Sequence, residues 1–151
     1  MNSIKLGIIR EGKIPVDRRV PFTPQQAHKI MLTYPFVKVV CQTSQFRSFA
    51  DNEYLDQGVE IVDDVSDCDI LMGIKEVRIP DLIANKTYFF FSHTMKQQPH
   101  NRELLRTILE KNIKLIDYEV LTDDHGNRLV AFGRYAGIIQ FIPWSKYKRC
   151  C

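Results

Sequence analysis

The chain of 151 residues has few cysteines and no long apolar run. Its four cysteines include no Cys-x-x-Cys pair and no His/Cys spacing typical of zinc ligands, so we expect no structural metal. Cys41 and Cys68 lie in apolar segments and are predicted to be buried thiols, which favours a reducing, cytoplasmic setting. No stretch approaches the ~20 apolar residues that span a bilayer, and no signal or transit pattern precedes the first predicted strand.

A strong net charge is also missing. The 21 basic and 18 acidic residues are interspersed and give a net charge of +3, so there is no basic stripe of the kind that binds nucleic acid. The seven glycines are scattered and form no Gly-x-Gly-x-x-Gly motif, so the sequence carries no dinucleotide fingerprint. With 44% hydrophobic residues, the chain can bury a core of about one domain.

Four consecutive aromatic residues, Tyr88 to Phe91, are the most informative stretch. Strand alternation would place two of them in water if one face of the strand were exposed. They therefore predict a strand covered on both faces, in the middle of a parallel sheet. The apolar run ends at Ser92, and His93 follows at the edge where parallel sheets collect their ligands.

Strand and helix patterns alternate along the rest of the chain. Strands are predicted at residues 4–9, 37–41, 60–62, 69–74 and 114–116. Helices are predicted at 23–34 (Thr23 and Gln26 forming a capping box), at 51–57 (Ser48 as cap, Gly58 after the end) and at 101–111.

The 101–111 helix carries an apolar stripe of Leu104, Leu105, Ile108 and Leu109. A turn at 123–127 predicts a β-hairpin, and a further helix is predicted to start at 133–139. The expected fold is α/β, a doubly wound, mainly parallel sheet of the Rossmann-like or flavodoxin-like type with helices on both faces and one β-hairpin.

Two predicted strands end in groups suited to proton transfer. Lys75 follows one strand and His93 follows the aromatic strand, so neighbouring strands would bring both side chains into one crevice. Glu76 and Glu119 are candidates to hold Lys75 charged. The alternative is that His93 only caps a turn and Lys75 is an ordinary surface residue.

Arginines in two loops are candidates for binding a carboxylate through paired N–H bonds. Arg18 and Arg19 follow the first strand, and Arg128 follows the hairpin turn. A solvated loop charge is the simpler interpretation of each. The other histidines are interpreted as surface or capping residues; they are His28, His100 and His125.

Five segments resemble a known family in the same order along the chain. They read EGKIPVDRRVPFTP, GIKE, KTYFFFSHT, LIDYE and NRLVAFGRYAG. Between Ile4 and Ile138 the sequence resembles the N-terminal domain of lysine–2-oxoglutarate reductase and the lysine-forming saccharopine dehydrogenases. It is more distantly similar to the N-terminal domain of alanine dehydrogenase and transhydrogenase. Residues 1–138 are thus expected to form a substrate domain.

The resemblance implies a role for each matching residue. Lys75 and His93 match an acid/base pair that moves protons during imine formation or hydrolysis, and Glu76 and Glu119 match acidic residues that tune the lysine. Arg19 matches a residue that binds a substrate carboxylate. Arg128 matches a second such residue in the saccharopine branch. The implied reaction joins the lysine side-chain amine to 2-oxoglutarate, with hydride exchanged with NAD or NADP.

Residues 139–151 depart from that family and are expected to form an atypical tail, because Pro143 interrupts the helix that should link to a cofactor domain. We therefore expect a truncated or altered product with no cofactor-binding residues of its own and an exposed apolar face near 138–144. Its partners would be a small dicarboxylate or amino acid, with no nucleic acid and no membrane, and the full-length enzyme or a second copy. Two alternatives stay open: a non-catalytic regulatory or oligomerising fragment, and an alanine dehydrogenase-like domain acting on pyruvate.

Overall fold

The computed structural model describes residues 3–96 and 98–131. In this part of the chain strands and helices alternate, as the sequence pattern predicts. The elements in chain order are β1 (Ile4–Ile8), α1 (Pro24–Thr33), β2 (Val37–Gln42), α2 (Asp51–Leu55), β3 (Glu60–Val62), β4 (Ile70–Met72), β5 (Thr87–Phe90), α3 (Arg102–Glu110) and β6 (Lys114–Asp117). The helix predicted at 133–139, the boundary at 138 and the tail at 139–151 lie outside the described residues.

All six strands pair in parallel in the order β3-β2-β1-β4-β5-β6. The chain starts in the middle of the sheet, builds outward through β2 to β3, and then crosses back to β4 on the other side of β1. The gap between the carboxyl ends of β1 and β4 is therefore the switch point, where open parallel sheets bind their ligands. The predicted α/β class is confirmed.

Each face of the sheet is covered by its own apolar cluster. One cluster contains Val40, Leu71 and the α3 residues Leu104 and Ile108. The other contains Leu6, Ile8, Val39 and Cys41 from the strands, with Ala27 of α1 and Tyr54 of α2. Because successive strand residues point to opposite faces, neighbouring residues of β2 supply both clusters. The helices thus cover both faces of the sheet, as predicted.

Strand β5 shows how the aromatic run is accommodated. Tyr88 and Phe90 are almost fully buried in the α3 cluster. Phe89 and Phe91 pack against the cluster on the opposite face. With β4 on one side and β6 on the other, the strand is enclosed on all sides, which confirms the prediction of two-sided burial.

Local signals position the first helix and the first strand as expected. The Thr23 hydroxyl accepts the Gln26 N–H at 3.3 Å, and the Gln26 side chain accepts the Thr23 N–H at 2.9 Å, completing the capping box. Gly7 is needed where β1 meets the 65–71 segment, since a Cβ there would lie 2.9 Å from Cys68 Sγ. Cys41 and Cys68 are both buried, as predicted.

Two local predictions were inaccurate. Ser48 does not cap α2: its N–H donates to the Arg18 carbonyl, and the helix begins after Ala50 and ends at Leu55. Leu105 and Leu109 are exposed because α3 contacts the sheet through the single row of Leu104 and Ile108.

The predicted β-hairpin is present in a short form. Thr122 and Arg128 form an antiparallel bridge, and the Leu129 N–H donates to the Leu121 carbonyl at 2.8 Å. The predicted turn at 123–127 lies between them.

Candidate active site

Lys75 and His93 leave the sheet side by side. They follow the adjacent parallel strands β4 and β5, whose register pairs Met72 with Phe89. Backbone hydrogen bonds continue this pairing beyond the strand ends, from the Phe91 N–H to the Ile74 carbonyl at 3.0 Å. The prediction that both residues follow neighbouring strands is confirmed, and both backbones lie at the carboxyl edge.

The backbone of His93 adopts a left-handed conformation, with φ at 55°. Its Nδ1 lies 3.2 Å from Oε2 of Glu119, which is buried, and its ring stacks on Phe91 with centroids 6.5 Å apart. The His93 carbonyl accepts a hydrogen bond from the Asn101 side-chain amide at 3.1 Å. Because the carboxylate accepts from Nδ1–H, the lone pair of a neutral ring is on Nε2.

A buried polar network after β5 and β6 supports that conformation. The Ser92 hydroxyl, which is fully buried, bonds to Asp117 Oδ2 at 2.5 Å and to the Thr94 hydroxyl at 2.7 Å. The other Asp117 oxygen accepts the Glu119 N–H at 2.9 Å. Ser92, directly before His93, is thus bonded to Asp117, which in turn holds the backbone of Glu119. These bonds fix the imidazole relative to Glu119.

Glu76, the residue after Lys75, is paired with a lysine of the loop that follows β1. Its Oε1 lies 2.8 Å from Nζ of Lys13. Burial acts to raise the pKa of Glu76, but the hydrogen bond from Lys13 and the nearby charges of Lys13 and His93 outweigh it and lower the pKa. The contacts of Glu76 and Glu119 are therefore to Lys13 and His93, and their tuning of Lys75 stays a prediction.

Glu11 is a site residue that the sequence reasoning did not identify. Its two carboxylate oxygens accept the N–H groups of Ile74 at 2.6 Å and Lys75 at 3.0 Å. Burial raises the pKa of this carboxyl, while the two backbone hydrogen bonds oppose the rise. No local pattern indicates this contact, because the partners are 63 and 64 residues apart in sequence.

The arginine loop contributes an ion pair rather than an isolated guanidinium. Arg19 Nε lies 2.9 Å from Oδ1 of Asp17, and its Nη2 lies 2.5 Å from Oδ2. This pairing lowers the pKa of Asp17, and the charge of Lys75 contributes to the same effect. Arg18 instead donates to the Phe46 carbonyl at 3.1 Å. Of the two arginines, Arg19 is therefore the one whose carboxylate partner also responds to the charge of Lys75.

The remaining candidates are Arg128 and three histidines. Arg128 is exposed in the turn region bridged to Thr122, and its binding of a substrate carboxylate stays a prediction. His28 Nδ1 lies 2.9 Å from the Gln57 carbonyl and links α1 to the turn after α2, while His100 and His125 are exposed.

Over residues 3–96 and 98–131 no group of three or more side chains is placed to hold a metal ion. The same residues include no helix that is both long and apolar enough to cross a bilayer.

Fold and site together define a class: an open parallel α/β domain in which a lysine and a histidine follow adjacent strands at the carboxyl edge. The chain belongs to the family described as alanine dehydrogenase/PNT, N-terminal domain, which matches residues 7–139. The resemblance seen in the five sequence segments is thereby confirmed.

Individual relatives agree with this assignment. The chain is 40% identical over 136 residues to alpha-aminoadipic semialdehyde synthase of Arabidopsis thaliana, covering 87% of this chain and 13% of the relative. It is 31% identical over 139 residues to saccharopine dehydrogenase [NAD(+), L-lysine-forming] of Yarrowia lipolytica, covering 89% of this chain and 37% of the relative. Mammalian proteins with the same name as the plant relative are described as mitochondrial. The chain therefore spans only a small part of these proteins.

A solved structure supports the fold independently. An L-alanine dehydrogenase superposes with a TM-score of 0.69 at 20% identity, covering 82% of this chain and 35% of the other. At that identity the likeness shows the fold alone. The described residues therefore share the fold of a unit that makes up about a third of that enzyme chain.

The nicotinamide cofactor of this family does not fit the described residues. A dinucleotide needs a glycine-rich turn after β1 that leads directly into a helix, so that backbone N–H groups can bind the pyrophosphate. Here a loop of charged residues and prolines separates β1 from α1. The N–H groups of Ile74 and Lys75, which follow the neighbouring strand β4, are already bonded to the Glu11 carboxylate. We therefore assign no step of the chemistry to a cofactor held by this edge.

Proposed function

We propose that this chain is the substrate-binding half of an NAD(P)-dependent saccharopine-type dehydrogenase, which acts in lysine metabolism. Its ligand would be a small dicarboxylate or amino acid bound between Arg19, Lys75 and His93. One observation carries the proposal: Lys75 and His93 follow neighbouring strands, with the Asp17–Arg19 pair close enough for Lys75 to affect the pKa of Asp17.

Arg19 is suited to hold the carboxylate of the ligand. A guanidinium can bind a carboxylate through two parallel N–H bonds. Asp17 already orients it, and 37% of the Arg19 side-chain surface is exposed, so a ligand can approach it from solvent. The carboxylate would stand beside the Lys75 ammonium, which adds a second positive charge. This arrangement predicts affinity for 2-oxo acids and amino acids rather than for neutral sugars.

Lys75 and His93 would then move protons. Joining an amine to a keto acid forms a carbinolamine, from which a proton must leave nitrogen while the hydroxyl departs as water. Since the Nδ1 side of His93 is occupied by Glu119, Nε2 is the atom that can accept or deliver a proton. Lys75 would supply the second exchangeable proton, so that one group acts as acid while the other acts as base.

The hydride step would need residues beyond those described. The matched region makes up only 13% of the plant relative and 37% of the fungal relative. The described residues would therefore supply substrate binding and proton transfer, and not the hydride. A role as a non-catalytic partner of the full-length enzyme stays the second candidate. A cytoplasmic location stays a prediction.

Isothermal titration calorimetry on the 151-residue chain tests the proposal. The ligands would be 2-oxoglutarate, saccharopine and pyruvate. We expect weak binding of the first two, a loss of binding in Arg19→Ala, and nearly unchanged affinity in His93→Ala, because the guanidinium binds the ground state and the imidazole acts on protons. Tighter binding of pyruvate than of 2-oxoglutarate would indicate the alanine dehydrogenase branch instead.

Arg106→Ala is the matched control, since it removes an exposed arginine on α3, outside the residues proposed to bind the ligand. It should bind like the wild type. A folded wild-type chain that binds none of the three ligands would favour the non-catalytic candidate. Loss of binding in His93→Ala with retention in Arg19→Ala would reverse the assigned roles.

A further inference from the structure

Glu11 occupies the place in this sheet where a ligand anion is expected. It lies just after β1, beside the end of β4, at the switch point of the strand order. In parallel sheets the N–H groups exposed at such a point bind phosphates and carboxylates. Here the two N–H groups, from Ile74 and Lys75, are both bonded to the two oxygens of one carboxylate of the chain itself.

The contact bears directly on the backbone from which Lys75 projects. After Met72, β4 leaves regular pairing with β1, whose last ladder bond runs from the Ile9 N–H to the Met72 carbonyl at 3.0 Å. On the other side, the Phe91 N–H still bonds to the Ile74 carbonyl at 3.0 Å. Glu11 thus takes over the role of the missing neighbour strand on the β1 side of Ile74 and Lys75.

The surroundings of Glu11 are mixed in charge. Asp17 and Arg19 act on it from the arginine loop, and its own charge acts on Tyr118 at the end of β6. Gly73 allows the carboxylate to approach, because a Cβ there would lie 3.3 Å from Glu11 Oε1 and 3.0 Å from Ile9 Cδ1. Backbone, glycine and carboxylate therefore form one close-packed unit under Lys75.

We propose that Glu11 is the positioning residue for Lys75: its carboxylate fills the internal anion site between β1 and β4 and fixes the backbone that presents the lysine to the ligand. This rests on the proposed role of Lys75 in substrate chemistry. It also explains why the switch point of this domain receives a substrate beside the lysine instead of a pyrophosphate between the strands.

A test without ligand uses amide NMR on the whole chain. In the wild type, the amide protons of Ile74 and Lys75 should shift with pH along one common curve, because both report the ionisation of Glu11. Glu11→Gln should abolish that curve while keeping the fold, since the side-chain amide oxygen still accepts a hydrogen bond. Titration that is absent in the wild type, or that persists in Glu11→Gln, would overturn the proposal.

Glu11→Ala then measures the anchoring itself. Hydrogen exchange at Ile74 and Lys75 should become about tenfold faster, the factor that matches loss of a hydrogen bond to a charged acceptor. Competitive acylation read by peptide mass spectrometry should show Lys75 reacting faster than in the wild type relative to the other lysines. The increase should be smaller in Glu11→Gln, whose amide oxygen keeps one of the two acceptors. Equal exchange and acylation in Glu11→Ala and wild type would overturn the proposal.

Asp64→Ala is the matched control, because Asp64 also accepts a backbone N–H, from Ser66 at 2.9 Å, but is exposed and does not contact Lys75. It should leave Ile74, Lys75 and the acylation pattern unchanged. Binding of 2-oxoglutarate to the wild type tests the proposed function separately from the positioning of Lys75 by Glu11. If the wild type binds no ligand, the proposed function fails, while the ligand-free experiments still decide whether Glu11 holds the lysine in place.

Discussion

Replacing His93 by glycine and, separately, by alanine would measure what the protein gives up to keep a side chain at this position. The residue has φ at 55°, a region that glycine adopts without steric conflict and other residues adopt with difficulty. Both replacements remove the imidazole, its contact with Glu119 and its stacking on Phe91. The difference between the two variants therefore isolates the backbone.

The magnitude follows from two opposing effects. A Cβ in the left-handed region costs about 1–2 kcal/mol, and this cost is absent in His93→Gly. Glycine lowers the free energy of unfolding by about 0.5–1 kcal/mol relative to alanine, because the unfolded chain has more conformations to lose at a glycine. The free energy of unfolding of His93→Gly should thus exceed that of His93→Ala by about 0.5–1 kcal/mol, measured by urea denaturation.

His28 provides the matched control, since it lies inside α1, where glycine is about 1 kcal/mol less favourable than alanine. The order of stability should invert there, with His28→Gly below His28→Ala. A His93→Gly variant that is less stable than His93→Ala would refute the claim that the backbone is strained at this position. A confirmed gain would mean that the backbone at this position favours glycine although the chain has a histidine there, which is typical of a functional site.

Two further variants test a buried hydrogen bond and an ion pair. Tyr54→Phe should lower the free energy of unfolding by about 1–3 kcal/mol, because the buried hydroxyl donates to the Phe22 carbonyl at 2.6 Å; Tyr34→Phe, at a half-exposed ring, should be nearly neutral. The pKa of Asp17 is lowered chiefly by Arg19, so its stabilising effect is present above the ordinary aspartate pKa and is lost as the pH falls through the lowered value. Asp17→Asn should therefore flatten the acid limb of stability against pH, by about 1 kcal/mol or less because Arg19 is partly exposed; an unchanged acid limb would contradict the ion pair.

The parts of the fold that follow local rules could be predicted from the sequence. The capping box at Thr23 depends on residues three apart, and the two-sided burial of Tyr88 to Phe91 follows from strand alternation alone. Adjacency of Lys75 and His93 needed one more step, the rule that successive strands of a parallel sheet tend to be neighbours. Each of these inferences uses information contained within a short segment or its order in the chain.

The parts that were missed depend on contacts between distant segments. Glu11 and Lys13 lie in a loop whose composition indicates only charge and proline, and their partners Ile74, Lys75 and Glu76 are more than sixty residues away. The apolar stripe of α3 failed for a related reason. Periodicity shows which residues share a helix face, whereas the sheet determines how wide a face is buried, and here it buries one row.

Three cations at the carboxyl edge already have a carboxylate partner. Lys13 is paired with Glu76, Arg19 with Asp17, and His93 bonds to Glu119. Glu11 uses its oxygens on backbone N–H groups, and in the part of the chain that the structure describes no carboxylate lies within 4.0 Å of the Lys75 ammonium. An added anion would therefore meet at Lys75 a side chain that no described carboxylate pairs with. This is the physical reason to expect the carboxylate or keto group of a ligand there, between a guanidinium held by Asp17 and an imidazole held by Glu119.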